Sequence, residues 1–232
     1  MTSATPGPSL FYMIRVSWVA HFVLIGFLSG CASYHIAGQV ESGRRALLVN
    51  DPERALPYLL EAAKNDPEYV YEYDLFRESV WTYLGRSQYA TKKYSEARQS
   101  LKRALALDKD DHLARLYLGL TLTRLGDSAQ GVKEIETGMK GIHDWLEYRE
   151  SARPFEAYWD PARVIRKTIE KDLAGDAGRD VGRDQLIADA EWVGKRMEDE
   201  VENVRRDRRQ RFQRDRDWLG GRGFGIGIGI GF

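Results

Sequence analysis

The stretch that decides the fold is residues 78–111, which read ESVWTYLGRSQYATKKYSEARQSLKRALALDKDD. Five of its small and apolar positions are matched by small and apolar residues 34 positions further along the chain. The pairs are Leu84 and Leu118, Gly85 and Gly119, Ala97 and Gly131, Leu101 and Ile135, and Ala104 and Gly138. A fixed period of this length indicates a helical repeat, because one helix pair cannot bury its own apolar face and neighbouring pairs must stack.

A further copy of the pattern lies upstream. Gly43 occupies the small position of its first helix, and the segment 51–55 is predicted to form the turn before its second helix. The positions of that second helix are filled by Ala55, Leu59, Ala62 and Pro67. Since Ala55 and Ala97 are 42 residues apart, about eight residues, 70–77, are inserted between the first two repeats.

The pattern resembles the tetratricopeptide repeat, whose 34-residue unit contains W-x2-L-G and then A-x3-F. On this resemblance the repeats cover 36–145, and the third runs from His112 to about Trp145. The sequence departs from the family at Gln88, where tyrosine is usual, and at Lys109, where proline is usual. The resemblance implies an all-α solenoid whose concave surface binds an extended or helical peptide.

The family's peptide-binding groove positions fall on six residues of this sequence. They are Arg44, Arg86, Tyr89, Leu116, Leu120 and Arg124. Arg44 and Arg86 occupy the same position in successive repeats, and arginine binds a carboxylate through two parallel hydrogen bonds. The two side chains are therefore predicted to favour a carboxylate-bearing segment, although solvated arginines on a helix surface would give the same pattern.

The first 30 residues are predicted to be a signal peptide. Arg15 precedes a short apolar run, 16–28, and small residues then lead to Cys31. The sequence Leu-Ser-Gly-Cys at 28–31 resembles the lipobox of bacterial lipoproteins, which implies a diacylglycerol on Cys31 and cleavage before it. Residues 31–35 would then be an anchor linker, and Ala32 in place of aspartate favours the outer membrane by the same resemblance. The alternative is an uncleaved N-terminal anchor helix with a buried cysteine.

The segment 146–175 is predicted to form capping helices over the last repeat. Asp160 and Pro161 form a helix-start signature, and apolar residues then recur at helical spacing until Gly175 ends the run. The recurring residues are Val164, Ile165, Ile169 and Leu173. An aromatic cluster in the preceding stretch favours core packing over a ligand cage, and it consists of Trp145, Tyr148, Phe155, Tyr158 and Trp159.

A linker is predicted over 176–183, and a long charged helix over 184–219. Apolar residues lie along one side of this helix: Leu186, Ala190, Val193, Met197, Val201 and Val204. Residues 184–202 contain seven acidic and two basic side chains, whereas 205–217 contain seven arginines and three aspartates. Two interpretations remain open: antiparallel pairing of two copies in a homo-oligomer, acidic half against basic half, or a solvated single helix.

The tail, 220–232, alternates glycine with large apolar residues. Phe224, Ile226, Ile228, Ile230 and Phe232 share one face of an extended chain, so the pattern favours a strand over a helix. A lone strand is not stable, so the tail is predicted to add to the edge of a partner. The alternative is a flexible end.

The composition limits the chemistry. The chain has 232 residues with 35 basic and 35 acidic side chains, so its net charge gives no general attraction to nucleic acid. A single cysteine excludes a disulfide framework, and the four histidines (His21, His35, His112 and His143) have no zinc-binding spacing. We therefore expect no enzyme activity, no metal and no cofactor.

These observations lead to one expectation of function. We expect a lipid-anchored, periplasm-facing protein, attached to the outer membrane, that mediates protein–protein interaction in a bacterial envelope complex. The alternative is a structural subunit of an outer-membrane secretion, pilus or polysaccharide-export assembly.

Overall fold

Three helix pairs follow one another along the first two thirds of the chain. The computed structural model describes residues 35–74, 76–152, 159–175 and 180–221. The pairs are α1 (35–48) with α2 (Pro52–Asn65), α3 (Val80–Ala90) with α4 (Tyr94–Leu107), and α5 (His112–Arg124) with α6 (Ser128–Ala152). This arrangement confirms the predicted all-α helical solenoid.

The turn inside each pair contains the same backbone feature. Asn50, Lys92 and Gly126 have positive φ angles of 58°, 61° and 92°. They are separated by 42 and 34 residues, which are the offsets read from the side-chain pattern. In the first turn, the carboxylate of Asp51 accepts a hydrogen bond from the backbone N–H of Arg54 at 3.1 Å and caps α2. The three turns are therefore structurally equivalent.

Close helix packing within each pair depends on a glycine. A Cβ atom built on Gly43 would lie 2.6 Å from Leu59 Cγ, and one built on Gly85 would lie 2.5 Å from Leu101 Cγ. At Gly119 the same atom would lie 2.6 Å from the backbone nitrogen of Ile135. Any side chain at these positions would force the two helices apart. The predicted 34-residue pattern thus describes the contact surface between paired helices.

The inserted segment between the first two repeats forms a β-hairpin. Strand β1 (Val70–Tyr73) pairs antiparallel with β2 (Phe76–Ser79), with Val70 opposite Ser79. Ser79 ends the hairpin and also caps α3, since its hydroxyl accepts a hydrogen bond from the N–H of Thr82. The insertion therefore feeds directly into the second repeat.

The cap over the last repeat differs in detail from the prediction. Helix α6 continues to Ala152, beyond the predicted repeat boundary, and α7 spans Val164–Ala174. The predicted helix start at Pro161 is wrong, because Arg163 has a left-handed conformation with a φ of 56° and the helix begins after it. Asp160 is still the capping carboxylate: it accepts hydrogen bonds from the N–H groups of Ile165 and Arg166, both at 3.1 Å. Gly175 ends α7, where the sequence placed its end.

Part of the aromatic cluster packs in the core. Trp159 is buried, lies edge-on to Trp145 with ring centroids 4.9 Å apart, and stacks on Phe76 at 5.8 Å. Tyr148, in contrast, is 61% exposed. Phe155 and Tyr158 lie outside the described residues. The described members of the cluster thus form no ligand cage.

The last described element is α8, a helix of 42 residues, Asp180–Gly221. It is longer than the predicted 184–219, and the end of the predicted linker, 180–183, belongs to it. The helix packs against α5, α6 and α7. The six residues of its apolar side are all buried: Leu186, Ala190, Val193, Met197, Val201 and Val204. The solvated-helix alternative is therefore wrong for this half of α8.

The predictions for both chain ends lie outside the described residues. They concern the signal peptide, Cys31, and the tail with Phe224, Ile226, Ile228, Ile230 and Phe232. Among the helices of the described ranges, none combines the length and apolar character needed to cross a membrane.

Candidate protein-binding groove

The six predicted groove residues lie on the first helix of each pair. Arg44 is on α1, Arg86 and Tyr89 are on α3, and the others are on α5: Leu116, Leu120 and Arg124. Five of the six are buried, and Arg124 is the exception with its side chain 45% exposed. The prediction that allowed solvated arginines is wrong for Arg44 and Arg86. The acidic half of α8 covers them.

The centre of this groove is a carboxylate held between two arginines. Arg44 donates a hydrogen bond from Nη1 to Oε1 of Glu198, and Arg86 donates from Nη1 to Oε2 at 2.9 Å. All three side chains are almost completely buried. Since the two arginines share a repeat position, equivalent sites of the first and second repeats bind one residue of α8.

A second buried carboxylate, Glu78, completes the central cluster. Its Oε1 accepts a hydrogen bond from Arg86 Nη1 at 2.6 Å. Burial raises the pKa of the Glu78 carboxyl to about 8, against the lowering effect of Arg86 and with a further rise from the nearby Glu198. Within the described residues, Oε2 of Glu78 has no hydrogen-bond partner. Arg86 therefore binds two carboxylates. Glu198 is also bound by Arg44, whereas Glu78 is bound, among the described residues, by Arg86 alone.

A third contact lies at the far ends of α3 and α5. Arg124 donates a hydrogen bond from Nη2 to Oε1 of Glu191 on α8 at 2.8 Å, and Tyr89 donates its hydroxyl to the same oxygen. Arg124 Nε also approaches the Tyr89 oxygen at 3.3 Å. Burial and the hydrogen bond to Glu191 raise the pKa of Tyr89, while Arg124 opposes the rise. This contact is more exposed than the central one and belongs to the edge of the interface.

At the opposite end, α8 reaches the first helix of the domain. Arg44 donates from Nη2 to Glu202, and Arg205 approaches Oε1 of Glu41 at 3.3 Å. Burial alone would raise the pKa of Glu202, but the hydrogen bond and charge of Arg44 lower it. Helix α8 thus extends from the third repeat at Glu191 to the first repeat at Arg205.

Apolar contacts fill the space between these charged groups. Gly194 of α8 lies against the ring of Tyr117, since a Cβ built on the glycine would be 2.8 Å from the ring. The guanidinium of Arg86 stands 5.3 Å above the centre of the same ring. Leu116 and Leu120 are fully buried in the cluster that contains the apolar side of α8. Leu120 occupies the repeat position of Arg44 and Arg86, so the groove is charged in two repeats and apolar in the third.

Five contributors to this site were not singled out from the sequence. They are Glu78, Tyr117, Glu191, Glu198 and Glu202. A signal for three of them was present, because Glu191, Glu198 and Glu202 are seven and four residues apart and so share one helix face. The two interpretations of this helix were pairing with a second copy and a solvated single helix, whereas in the structure its acidic half binds arginines of the same chain's repeats.

A cleft of about 220 Å³ remains beside the covered groove. It lies between the turn of the first pair, α3 and α8, and its lining includes Leu47, Pro52, Tyr89, Lys195 and Asp199. Within the described residues, α8 therefore does not fill the whole groove near the first repeat.

One group of side chains has the geometry of a metal site but the charge of an ion-pair network. His143, Glu147 and Glu170 each present a ligand atom, and these atoms lie within 4.8 Å of one another. The spacing of the histidines in the sequence predicts no zinc site, and in the structure Nε2 of His143 lies 3.1 Å from Glu170. Both glutamates also contact Arg163, and Arg166 contacts Glu147. Two arginines already balance the carboxylate charge, so the group does not fit a divalent cation.

Comparison with known proteins identifies the second helix pair. The family model described as tetratricopeptide repeat matches residues 79–111, which contain α3 and α4. Residues 79–111 are therefore similar to a tetratricopeptide repeat. Such repeats are typical of protein–protein interaction and occur mainly in non-enzymatic scaffolds. A search of curated proteins found none that matches the chain. The equivalent turns and glycine contacts extend the same architecture to the first and third helix pairs.

Proposed function

We propose that the chain is a lipid-anchored, periplasm-facing protein of the bacterial envelope that mediates protein–protein interaction. The tetratricopeptide repeat supports the interaction role. The lipobox-like sequence at 28–31 and the preceding apolar run support the anchor, which we assign to Cys31 and to the outer membrane. No step of this proposal involves catalysis.

The observation that carries the proposal is the helix that lies in the groove. Arg44 and Arg86 bind one carboxylate of α8, Arg124 binds another, and apolar residues fill the space between them. The repeats are therefore shaped to hold an acidic amphipathic helix, with glutamates spaced like Glu191, Glu198 and Glu202. We propose that the protein partner presents such a helix.

A partner of this kind must compete with α8. Because α8 belongs to the same chain, its effective concentration at the groove is high, and a competing helix needs strong binding or a release of α8. The edge contact between Arg124 and Glu191, with its side chains 45% and 41% exposed, is the accessible starting point for exchange. The cleft next to Tyr89 lies beside that contact.

One observation favours the alternative, a structural subunit of an outer-membrane secretion, pilus or polysaccharide-export assembly. The apolar side of α8 is as deeply buried as the core of the repeats. A groove sealed in this way suits a permanent fold, in which the partner contacts the exposed half of α8 and the tail. Self-association of two copies through the same exposed surfaces also remains a prediction.

Releasing α8 from the groove should change the amount of partner recovered differently for the two functions. The double variant Glu198→Ala and Glu202→Ala removes both ligands of Arg44 on α8. If the groove binds partners, crosslinked envelopes should yield more partner with this variant than with wild type. If the closed groove is structural, recovery should stay equal or fall. The matched control, Asp184→Ala with Asp207→Ala, removes two exposed acidic side chains of the same helix.

The anchor has a separate test. Cys31→Ser should accumulate as an unprocessed precursor and should not incorporate a fatty-acid probe. Equal labelling of wild type and variant would exclude lipidation at Cys31 without affecting the groove.

The tail also has its own test. We propose that residues 223–232 add as a strand to a partner, either a second copy or an outer-membrane protein. Deletion of 223–232 should abolish that contact and leave the repeats folded, and Ile228→Asp should act in the same way. Unchanged partners and an unchanged oligomeric state after deletion would show that the tail makes no partner contact.

A further inference from the structure

The second half of α8 is strongly basic and exposed. The apolar side of the helix ends at Val204, and residues 205–217 contain seven arginines and three aspartates. Five of the arginines have exposed side chains: Arg206, Arg208, Arg209, Arg214 and Arg216. Phe212 lies among them and is 71% exposed. We call residues 206–216 the basic arm.

The position of the basic arm follows from the contacts of α8 with α1. Arg44 binds Glu198 and Glu202, while Glu41, one turn earlier in α1, contacts Arg205. The two helices therefore run in opposite directions. With a rise of 1.5 Å per residue, residue 35 lies about 9 Å beyond Glu41, and Arg216 lies about 16 Å beyond Arg205 in the same direction. The arm thus reaches the end of the domain at which residue 35 lies, four residues after Cys31 in the sequence.

The root of the arm is held by the β-hairpin. The guanidinium groups of Arg205 and Arg208 lie 5.7 and 5.9 Å from the centre of the Tyr73 ring. Arg208 Nη2 also lies 3.5 Å from a carboxylate oxygen of Asp74. These contacts fix the direction in which α8 leaves the repeats, so the location of the arm is a property of the fold.

We infer that the basic arm binds the anionic phospholipid headgroups of the membrane to which Cys31 is anchored. This inference rests on the anchor of the proposed function. Arginine binds phosphate through two parallel hydrogen bonds, and each basic side chain near an anionic surface strengthens binding about fivefold. An exposed phenylalanine on a basic helix suits insertion between headgroups.

The position of the basic arm favours a membrane over a nucleic acid as the polyanion that it binds. Both would attract the arginines, but only the membrane is brought to this end of the domain by the anchor. Lipid chains combined with a basic surface hold a protein more stably than a single chain does. The arm would also set the orientation of the repeats, because a rigid helix beside the anchor gives a second point of attachment.

Vesicle binding by a chain that cannot be acylated tests the arm directly. The chain from position 31 to 232 with Cys31→Ser retains every described residue. Its sedimentation with vesicles of phosphatidylglycerol and phosphatidylcholine should exceed that with phosphatidylcholine alone, and high salt should weaken it. Reversing Arg206, Arg209, Arg214 and Arg216 to glutamate should reduce the affinity at least about 100-fold.

A matched control has the same change in charge at another surface. It reverses Lys92, Lys93, Arg98 and Lys102, exposed side chains of α4 and the turn before it, and should retain vesicle binding. Equal loss in both variants, no binding to anionic vesicles by the unreversed chain, or binding of a duplex oligonucleotide without vesicle binding would overturn the inference. Since Cys31 is absent from all these proteins, failure here leaves the separate fatty-acid labelling test of the anchor intact.

Discussion

The two halves of α8 are both rich in charge, yet they have opposite environments. The acidic half, 184–204, lies in the groove and buries every third or fourth residue from Leu186 to Val204. The basic half, 205–221, continues the same helix, but the next positions of that spacing are Arg208 and Arg211. The difference shows that the spacing of apolar residues, and not the number of charges, decides which part of the helix packs.

Burying the acidic half has a cost that the groove offsets. A carboxylate removed from water is strongly destabilising unless it is paired and hydrogen-bonded. Glu198 is compensated by Arg44 and Arg86, and Glu202 by Arg44. In the basic half, by contrast, Arg206, Arg209, Arg214 and Arg216 have exposed side chains that water solvates.

The largest difference between the two halves is expected from a charge placed in the apolar side of the acidic half. Val193→Asp places an unpaired carboxylate at a fully buried position. We expect it to lower the free energy of unfolding by more than about 4 kcal/mol, or to release α8. The measurement is urea denaturation followed by circular dichroism.

The matched substitution in the basic half is Gln210→Asp, at an exposed position of the same helix. It should change the free energy of unfolding by less than about 0.5 kcal/mol. Similar effects of the two substitutions would mean that α8 does not lie in the groove.

The next largest effect concerns the central arginine. Arg86→Ala leaves Glu78 buried without its arginine and removes one of the two arginines from Glu198. We expect a loss of about 3–5 kcal/mol in unfolding free energy, since the variant removes one partner from a buried, hydrogen-bonded cluster. Arg124→Ala removes the exposed edge contact and should cost less than about 1 kcal/mol. If Arg124→Ala cost as much as Arg86→Ala, the central cluster would not be the main attachment of α8.

The sequence was sufficient for the repeats because their signals are local. Gly85 and Leu101 are 16 residues apart, and their contact recurs at Gly43 with Leu59 and at Gly119 with Ile135. The same regularity places Arg44 and Arg86 at one repeat position, and both side chains bind a carboxylate of α8. The β-hairpin was detected only as extra length, because 70–77 has no strict alternation.

The identity of the carboxylates could not be read from the sequence. Glu198 is 154 residues from Arg44 and 112 from Arg86, and nothing in the spacing of one segment specifies its register on another. An acidic segment is compatible with any basic surface, including the basic half of a second copy. The distinction required the positions of α3 and α8 in space.

A smaller effect tests the carboxylate that faces a single arginine. The folded-state pKa of Glu78 is raised to about 8 by burial, above its ordinary value. Because the pKa is raised on folding, the contribution of Glu78 to the free energy of unfolding is fully present below its unfolded pKa, and it is lost as the pH rises toward 8. Glu78→Gln cannot ionise, so its free energy of unfolding should vary less with pH between 5 and 8. At pH 8 the variant should be more stable than wild type by on the order of 1–2 kcal/mol.

The measurement is the urea midpoint of wild type and Glu78→Gln at pH 5 and pH 8. Asp184→Asn, which changes an exposed acidic residue of α8, serves as the control and should follow wild type. Parallel pH profiles for Glu78→Gln and wild type would place Glu78 outside the titrating groups of the groove.

The smallest effect is expected from removing the basic half. Deleting 209–232 keeps Arg205 and Arg208, which contact Glu41, Tyr73 and Asp74. The side chains of α8 that it removes are exposed at positions 209, 210, 212–214 and 216. The free energy of unfolding, measured by urea denaturation, should therefore change by less than about 1 kcal/mol. Deleting 198–232 instead removes the ligand shared by Arg44 and Arg86 together with two buried valines, and it should destabilise the repeats severely. A large loss from the shorter deletion would mean that residues 209–232 pack on the repeats, and the two halves of α8 would then differ in charge alone.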